Sequence, residues 1–118
     1  MIKQPKKSRL CGQCCLGTIL GITLEKAIRL VGHKQGTYPK ELAKHFKCDT
    51  LKLTKGKPSE YALCKVHFKN LDGTHWVLYR GFMVYDPNIG DWVPFELWED
   101  EMSHVVPRIT SFIKILNE

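Results

Sequence analysis

The spacing of apolar residues changes once along this 118-residue chain, and that change limits the fold classes open to it. Up to about residue 47, apolar residues recur every three to four positions, as in helices with one buried face. Beyond that point they alternate with polar residues, which is typical of half-buried strands. Helices first and strands afterwards predict an α+β domain with an antiparallel sheet. Since a chain of this length encloses one core, we expect a single domain over residues 1–118.

Capping residues and breakers divide the first part into three helices, and the second part into six strand segments and one short helix. The predicted helices are 11–20, ending at Gly21; 24–31, between Thr23 as N-cap and Gly32; about 36–47, with Pro39 in the first turn; and a short acidic helix at 96–102. The predicted strands are 50–54, 61–68, 75–80, 82–86, an edge piece at 92–95, and 108–116, with a turn at 70–73.

Cys11 stands at the predicted start of the first helix, directly before Gly12. The first turn of a helix carries unpaired N–H groups and the positive end of the helix dipole, and both stabilise an anion. A cysteine placed there can have its pKa lowered below the value of about 8.5 found for free cysteine. We therefore predict that Cys11 is a reactive thiolate, whereas Cys14 and Cys15 are expected to be core residues.

His75 and Asp86 fall on two predicted strands joined by a tight turn. If Arg80 and Gly81 form that turn, His75 lies directly opposite Asp86, with Cβ atoms about 4.5–5.5 Å apart. The imidazole and the carboxylate could then hydrogen-bond, and a one-residue shift of register would separate them. Together with Cys11 they supply a nucleophile, a base and a group that orients the base. Asp86 also begins a turn-forming run, so a purely local role for it stays open.

A cysteine that attacks an amide also needs hydrogen-bond donors for the negative charge that forms on the carbonyl oxygen. We predict that the side-chain amide of Gln4 is one donor and the backbone N–H of Cys11 is the other. Gln13 is the alternative amide donor. Gln4 could also be a loose residue of a basic N-terminal segment, with no such role.

Four stretches, in this order, resemble the papain-like double-glycine leader peptidases, the peptidase domains often fused to bacteriocin exporters. They are Gln4, the Cys11-Gly12 pair that opens a helix, His75 followed by Trp76-Val77, and Tyr85-Asp86-Pro87 with Gly90 soon after. The resemblance implies a papain-like fold. It also implies that Cys11 is the nucleophile, His75 the base, Asp86 its orienting partner and Gln4 the oxyanion donor.

The five cysteines are odd in number and irregularly spaced, and no secretion signal precedes them. They predict reduced thiols in an intracellular, cytoplasmic protein, and no apolar run reaches the roughly 20 residues of a membrane span. Cys11 and Cys14 could begin a metal or redox motif. Zinc sites usually need a second cysteine pair, however, and Cys48 and Cys64 are isolated. We therefore predict neither a metal nor a cofactor.

Charge is unevenly distributed along the chain. Residues 1–69 hold 15 lysines and arginines against 4 acidic residues, whereas residues 70–118 hold 3 against 8. Such a basic half can bind nucleic acid or an acidic partner, but no nucleic-acid-binding motif accompanies it. We expect neither nucleic acid nor a membrane as partner, and the oligomeric state stays open.

Two function classes remain. The first is a cysteine peptidase or related amide hydrolase acting on a peptide or protein. The second is a non-catalytic binding module on the same scaffold, which would hold an acidic partner through the basic half. The set formed by Gln4, Cys11, His75 and Asp86 favours the hydrolase, because a binding module has no need of all four.

Overall fold

Helices fill the first part of the chain and strands most of the second, so the α+β class predicted from apolar spacing is confirmed. A computed structural model describes residues 2–69 and 73–116. Within them the helices are α1 (Cys11–Leu20), α2 (Leu24–Val31), α3 (Pro39–Ala43) and α4 (Phe95–Glu101). The strands are β1 (Thr54–Lys55), β2 (Ala62–Phe68), β3 (Thr74–Arg80), β4 (Met83–Asp86), β5 (Asp91–Pro94) and β6 (Pro107–Lys114).

Helices α1 and α2 have the predicted boundaries because their ends are set by local chemistry. The Thr23 hydroxyl accepts a hydrogen bond from the backbone N–H of Lys26 at 3.2 Å, as an N-cap does. Gly21 and Gly32 end the two helices in the left-handed conformation, with φ of 67° and 94°. The prediction for α3 was too long, since its chain tightens into three-residue turns after Ala43.

The sheet has the strand order β1-β6-β2-β3-β4-β5, and all neighbouring strands are antiparallel. The C-terminal strand β6 therefore lies between β1 and β2. The predicted strand at 50–54 is wrong except at its last residue. The Lys52 N–H donates to the Thr50 hydroxyl at 3.1 Å, and such a local bond competes with strand pairing. The turn predicted at 70–73 includes residues 70–72, which lie outside the described residues.

The predicted register of the β3–β4 hairpin is also wrong. Gly81 and Phe82 form its turn, one position later than the predicted pair of Arg80 and Gly81. Both turn residues have positive φ, 55° and 64°, the geometry whose twist suits a two-residue hairpin loop. Moving the turn by one residue moves the strand pairing by two, so every side chain keeps its face. Asp86 accordingly lies diagonally across from His75 and not directly opposite it.

Apolar side chains cover both faces of the sheet. On the first face, α1 packs against β3, and α2 and α3 pack against α1. On the second face, α4 packs against β4 and β5. The first face buries Leu16, Leu63, Trp76, Leu78 and Tyr85, together with all three cysteines of α1. The second face buries Cys64, Val66, Val77, Val84 and Trp98. None of the helices in the described part of the chain has the length and apolar character needed to cross a membrane.

Candidate active site

His75 and Asp86 meet although the predicted register was wrong, because a shift of two residues preserves the face and a diagonal pair is still within reach of a histidine. The distance between His75 Nε2 and Asp86 Oδ1 is 2.7 Å. Both side chains are buried, with exposed fractions of 8% and 0%. Because Nε2 is bonded to Asp86, Nδ1 is the ring nitrogen left for the Cys11 sulfur, with which the ring interacts.

Cys11 is the first residue of α1, as predicted, and its surroundings favour the thiolate. Burial raises the pKa of the thiol. The interaction with His75 and its charge, together with the backbone N–H groups of Trp76 and Gly12, lower it by more, so the pKa of Cys11 lies below its usual value. By contrast, burial raises the pKa of Cys14 to about 12 and that of Cys15 well above the usual range.

The histidine and the aspartate are held in their charged forms by each other. Burial lowers the pKa of His75, but the hydrogen bonds to Asp86 and Cys11 and their charges raise it to about 9. Burial likewise raises the pKa of Asp86. The hydrogen bond and the charge of His75 act in the opposite direction, and the net pKa of Asp86 lies below its usual value. These shifts favour the thiolate form of Cys11, the imidazolium form of His75 and the carboxylate form of Asp86.

Trp98 completes this arrangement, and the sequence analysis did not identify it. Its indole Nε1–H donates to Asp86 Oδ2 at 2.9 Å, while the Asn88 N–H donates to Oδ1 at 2.9 Å. With His75, the buried carboxylate has three donors. One signal was available, since a buried tryptophan N–H usually finds an acceptor and a buried carboxylate needs donors.

Gln4 lies on the same groove as Cys11 and His75, in an anchored segment. Its backbone N–H donates to the Pro87 carbonyl at 2.7 Å, in the turn that follows Asp86. Two residues earlier, the Ile2 carbonyl accepts a hydrogen bond from the Tyr85 hydroxyl at 2.6 Å. One Nε2 hydrogen of Gln4 is used in a bond of 2.7 Å to the Ser8 carbonyl, so one hydrogen of that NH2 group remains for another acceptor.

Gln13 does not have this freedom. The side chain is fully buried, and its Nε2 donates to the carbonyls of His33 and Gln35 at 3.0 Å each. Both amide hydrogens are therefore used, which removes Gln13 as the alternative oxyanion donor. Its role is to hold the segment 35–38, which forms one wall of the groove.

The groove in front of Cys11 has a volume of about 580 Å³. Its walls are the segment 35–38, the residues around Ser8, and the start of β3. Gly12 allows the first wall to pack closely, because a Cβ at that position would lie 2.0 Å from the Thr37 hydroxyl. Tyr38 also lines the groove and is 77% exposed.

Cys11 thus lies beside the hydrogen-bonded pair of His75 and Asp86, and Gln4 borders the same groove as Cys11 and His75. All five cysteines are free thiols. Within residues 2–69 and 73–116, no group of three or more histidine, cysteine or acidic side chains is arranged to hold a metal. Comparison with protein-family models, with curated proteins and with solved structures found no match for this chain.

Proposed function

We propose that the protein is a cysteine peptidase, or a related amide hydrolase, of papain-like architecture that acts inside the cell on a peptide or protein. The observation that carries the proposal is the buried row Cys11, His75, Asp86. A cysteine with a lowered pKa beside a histidine that is itself oriented by a carboxylate is the arrangement that nucleophilic catalysis requires. A purely structural role would not require a buried thiolate and imidazolium next to an open groove.

The first half of the proposed reaction makes a thioester. The Cys11 thiolate attacks the carbonyl carbon of the scissile amide, a C–S bond forms, and the C=O electron pair moves to oxygen. As that pair returns, the C–N bond breaks and the leaving amine takes the proton of His75. Asp86 stabilises the imidazolium and keeps Nδ1 directed at the sulfur.

Water completes the cycle. It gives one proton to neutral His75 as its oxygen attacks the thioester carbon. The C–S bond then breaks, the acid product leaves, and the thiolate and imidazolium are restored. One water molecule is consumed for each amide converted to an acid and an amine.

Two donors are proposed for the oxyanion. The Cys11 backbone N–H has no acceptor within α1, because it belongs to the first turn. The remaining Nε2 hydrogen of Gln4 is the second. Gln4 is held at the groove by its backbone bond to Pro87, so the donor is positioned before substrate arrives.

Alkylation at low pH tests the central assignment. Iodoacetamide at pH ~6 is expected to modify Cys11 before the other cysteines, because an ordinary thiol of pKa about 8.5 is almost wholly protonated there. Partly exposed Cys48 serves as the internal control. Mass spectrometry locates the label, and equal labelling of Cys48 would contradict the proposal.

Catalysis needs its own measurement. The protein is incubated with a proteome-derived peptide library, and new termini are identified by mass spectrometry. A Cys11→Ala variant, which removes only the sulfur, is the matched control. New termini that depend on Cys11 support the proposal, whereas a library that stays intact in both samples rejects it.

Replacing Gln4 by alanine tests the oxyanion donor. We expect kcat to fall about 100- to 1000-fold, the usual effect of losing one such donor. Alkylation of Cys11 should be nearly unchanged, because the thiolate does not depend on this amide. The measurement is turnover of a peptide found in the library. A variant that keeps more than about half of the parent kcat would exclude the role.

A further inference from the structure

The groove continues past His75 into a second hollow of about 390 Å³ that does not touch Cys11. The two hollows share Gln4, Ser8, Gly73, Thr74 and His75, so one chain could lie across both. Their remaining walls differ. The first has Arg9, Cys11, the segment 35–38 and Trp76, and the second has Lys3, Pro5, Lys6, Lys7, Phe68 and Asn88.

Positive charge is concentrated in the second hollow. Lys3, Lys6 and Lys7 line it, and all three are exposed. None of them takes part in an ion pair among the described residues, and no described residue lining the hollow is acidic. Uncompensated like charges in a concave surface raise the local concentration of anionic groups.

Two of these lysines are presented by an ordered turn and not by a loose tail. The Ser8 N–H and hydroxyl both donate to the Pro5 carbonyl, at 3.3 and 2.6 Å, and close the turn around Lys6 and Lys7. Gln4 Nε2 donates to the Ser8 carbonyl, which fastens the same turn to the candidate active site. The backbone of Lys6 and Lys7 therefore has a defined position relative to His75.

The chemistry of the histidine decides which part of a substrate would lie there. His75 gives its proton to the leaving amine, so the leaving group departs on the side of its ring. Both hollows contact His75, but only the first contacts Cys11, so the second lies beyond the histidine from the sulfur, on the leaving-group side. The first hollow contacts Cys11 and receives the acyl side.

We propose that the lysine-lined hollow binds an acidic segment of a peptide or protein substrate, on the C-terminal side of the bond that is cut. This inference rests on the proposed function for the cleavage and on the lysines for the binding. Substrate selection would depend on the three lysines of this hollow and not on the basic N-terminal half of the chain as a whole.

The test compares two triple variants with equal changes of charge. In the first, Lys3, Lys6 and Lys7 are replaced by glutamine. In the matched control, exposed Lys47, Lys52 and Lys55, which line neither hollow, are replaced by glutamine. Each protein is given the peptide library, and the residues that follow the cut bonds are counted.

The parent and the control are expected to favour Asp and Glu after the cut bond, about tenfold over Asn and Gln. The Lys3/Lys6/Lys7 variant should lose that preference, and added salt should weaken it in the parent. Cleavage without an acidic preference, or a preference that the Lys3/Lys6/Lys7 variant retains, would overturn the inference while the proposed function stands.

A binding arm separates the two ideas if no peptide is cut. Fluorescein-labelled hexaglutamate is coupled by carbodiimide to the Cys11→Ala protein, and the modified lysines are mapped. Coupling at Lys3, Lys6 and Lys7 in preference to Lys47, Lys52 and Lys55 supports the acidic-segment site although the proposed hydrolase has failed. Even coupling over both sets of lysines overturns the site.

Discussion

His75→Ala is expected to slow alkylation of Cys11 at pH 6 by about tenfold or more, and to reduce turnover of a peptide substrate by about 10⁴-fold or more. Two losses combine. Without the imidazolium, burial is no longer outweighed, so the pKa of the Cys11 thiol rises and little thiolate remains. The leaving amine also loses its proton donor. Rates of carbamidomethylation and of peptide cleavage measure the two effects separately.

The matched control is His67→Ala, which removes an exposed histidine from β2 that lines neither hollow of the groove. It should leave both rates unchanged. In the parent, kcat/KM should rise with pH as Cys11 ionises and fall again near pH 9 as His75 loses its proton. If His75→Ala alkylates at pH 6 as fast as the parent, the thiolate–imidazolium pair does not exist.

Asp86→Ala is expected to lower the free energy of unfolding by about 3–5 kcal/mol, because one partner of a buried charged pair is left without the other. Trp98 Nε1–H and the Asn88 N–H also lose their acceptor. Asp86→Asn should cost less, about 1–3 kcal/mol, since its single amide oxygen cannot serve all three donors. Chemical denaturation followed by fluorescence gives both values.

The pH dependence has a definite sign. The folded pKa of Asp86 is lowered, so its contribution to stability is present above the ordinary value of about 3.8 and is lost as the pH falls through the folded pKa. The difference in free energy of unfolding between parent and Asp86→Ala should therefore be largest above about pH 4 and shrink in stronger acid. A difference that stays constant down to pH 2 would show that the carboxylate is not held ionised by its partners.

Two further variants show which contact matters. Asp91→Asn changes an exposed acidic residue directly opposite Asp86 in the β4–β5 pair, and should alter stability by less than about 0.5 kcal/mol.

Trp98→Phe keeps a buried aromatic ring and removes the donor to Asp86 Oδ2. It should slow Cys11 alkylation at pH 6, because a less well supported carboxylate stabilises the imidazolium less.

Interactions close in sequence could be predicted. The ends of α1 and α2 follow from Thr23, Gly21 and Gly32, and the position of Cys11 at the start of α1 follows from the helix that begins there. The shared face of His75 and Asp86 was also predictable. Strand residues alternate with a period of two, so an error of two in register leaves the faces unchanged.

One local turn and the interactions distant in sequence could not be predicted. The turn at Gly81 and Phe82 was missed because it places a phenylalanine at positive φ, where glycine or asparagine would be expected. The support of Asp86 by Trp98 depends on how α4 packs against the sheet, and no local pattern contains that packing. The same holds for Gln4, whose basic neighbours suggest a loose segment although its backbone is bonded to Pro87.

The sequence by itself determined the α+β class, the two helix ends, a cysteine at a helix N-terminus, and a histidine and an aspartate on one sheet face. The tertiary structure decided that His75 bonds to Asp86 beside Cys11, that Trp98 donates to Asp86, and that Gln4 and the lysine turn border one groove. The physical reason is the range of the interactions. Caps and strand alternation act within a few residues, whereas a buried carboxylate obtains its donors from whatever elements the packed core brings to it.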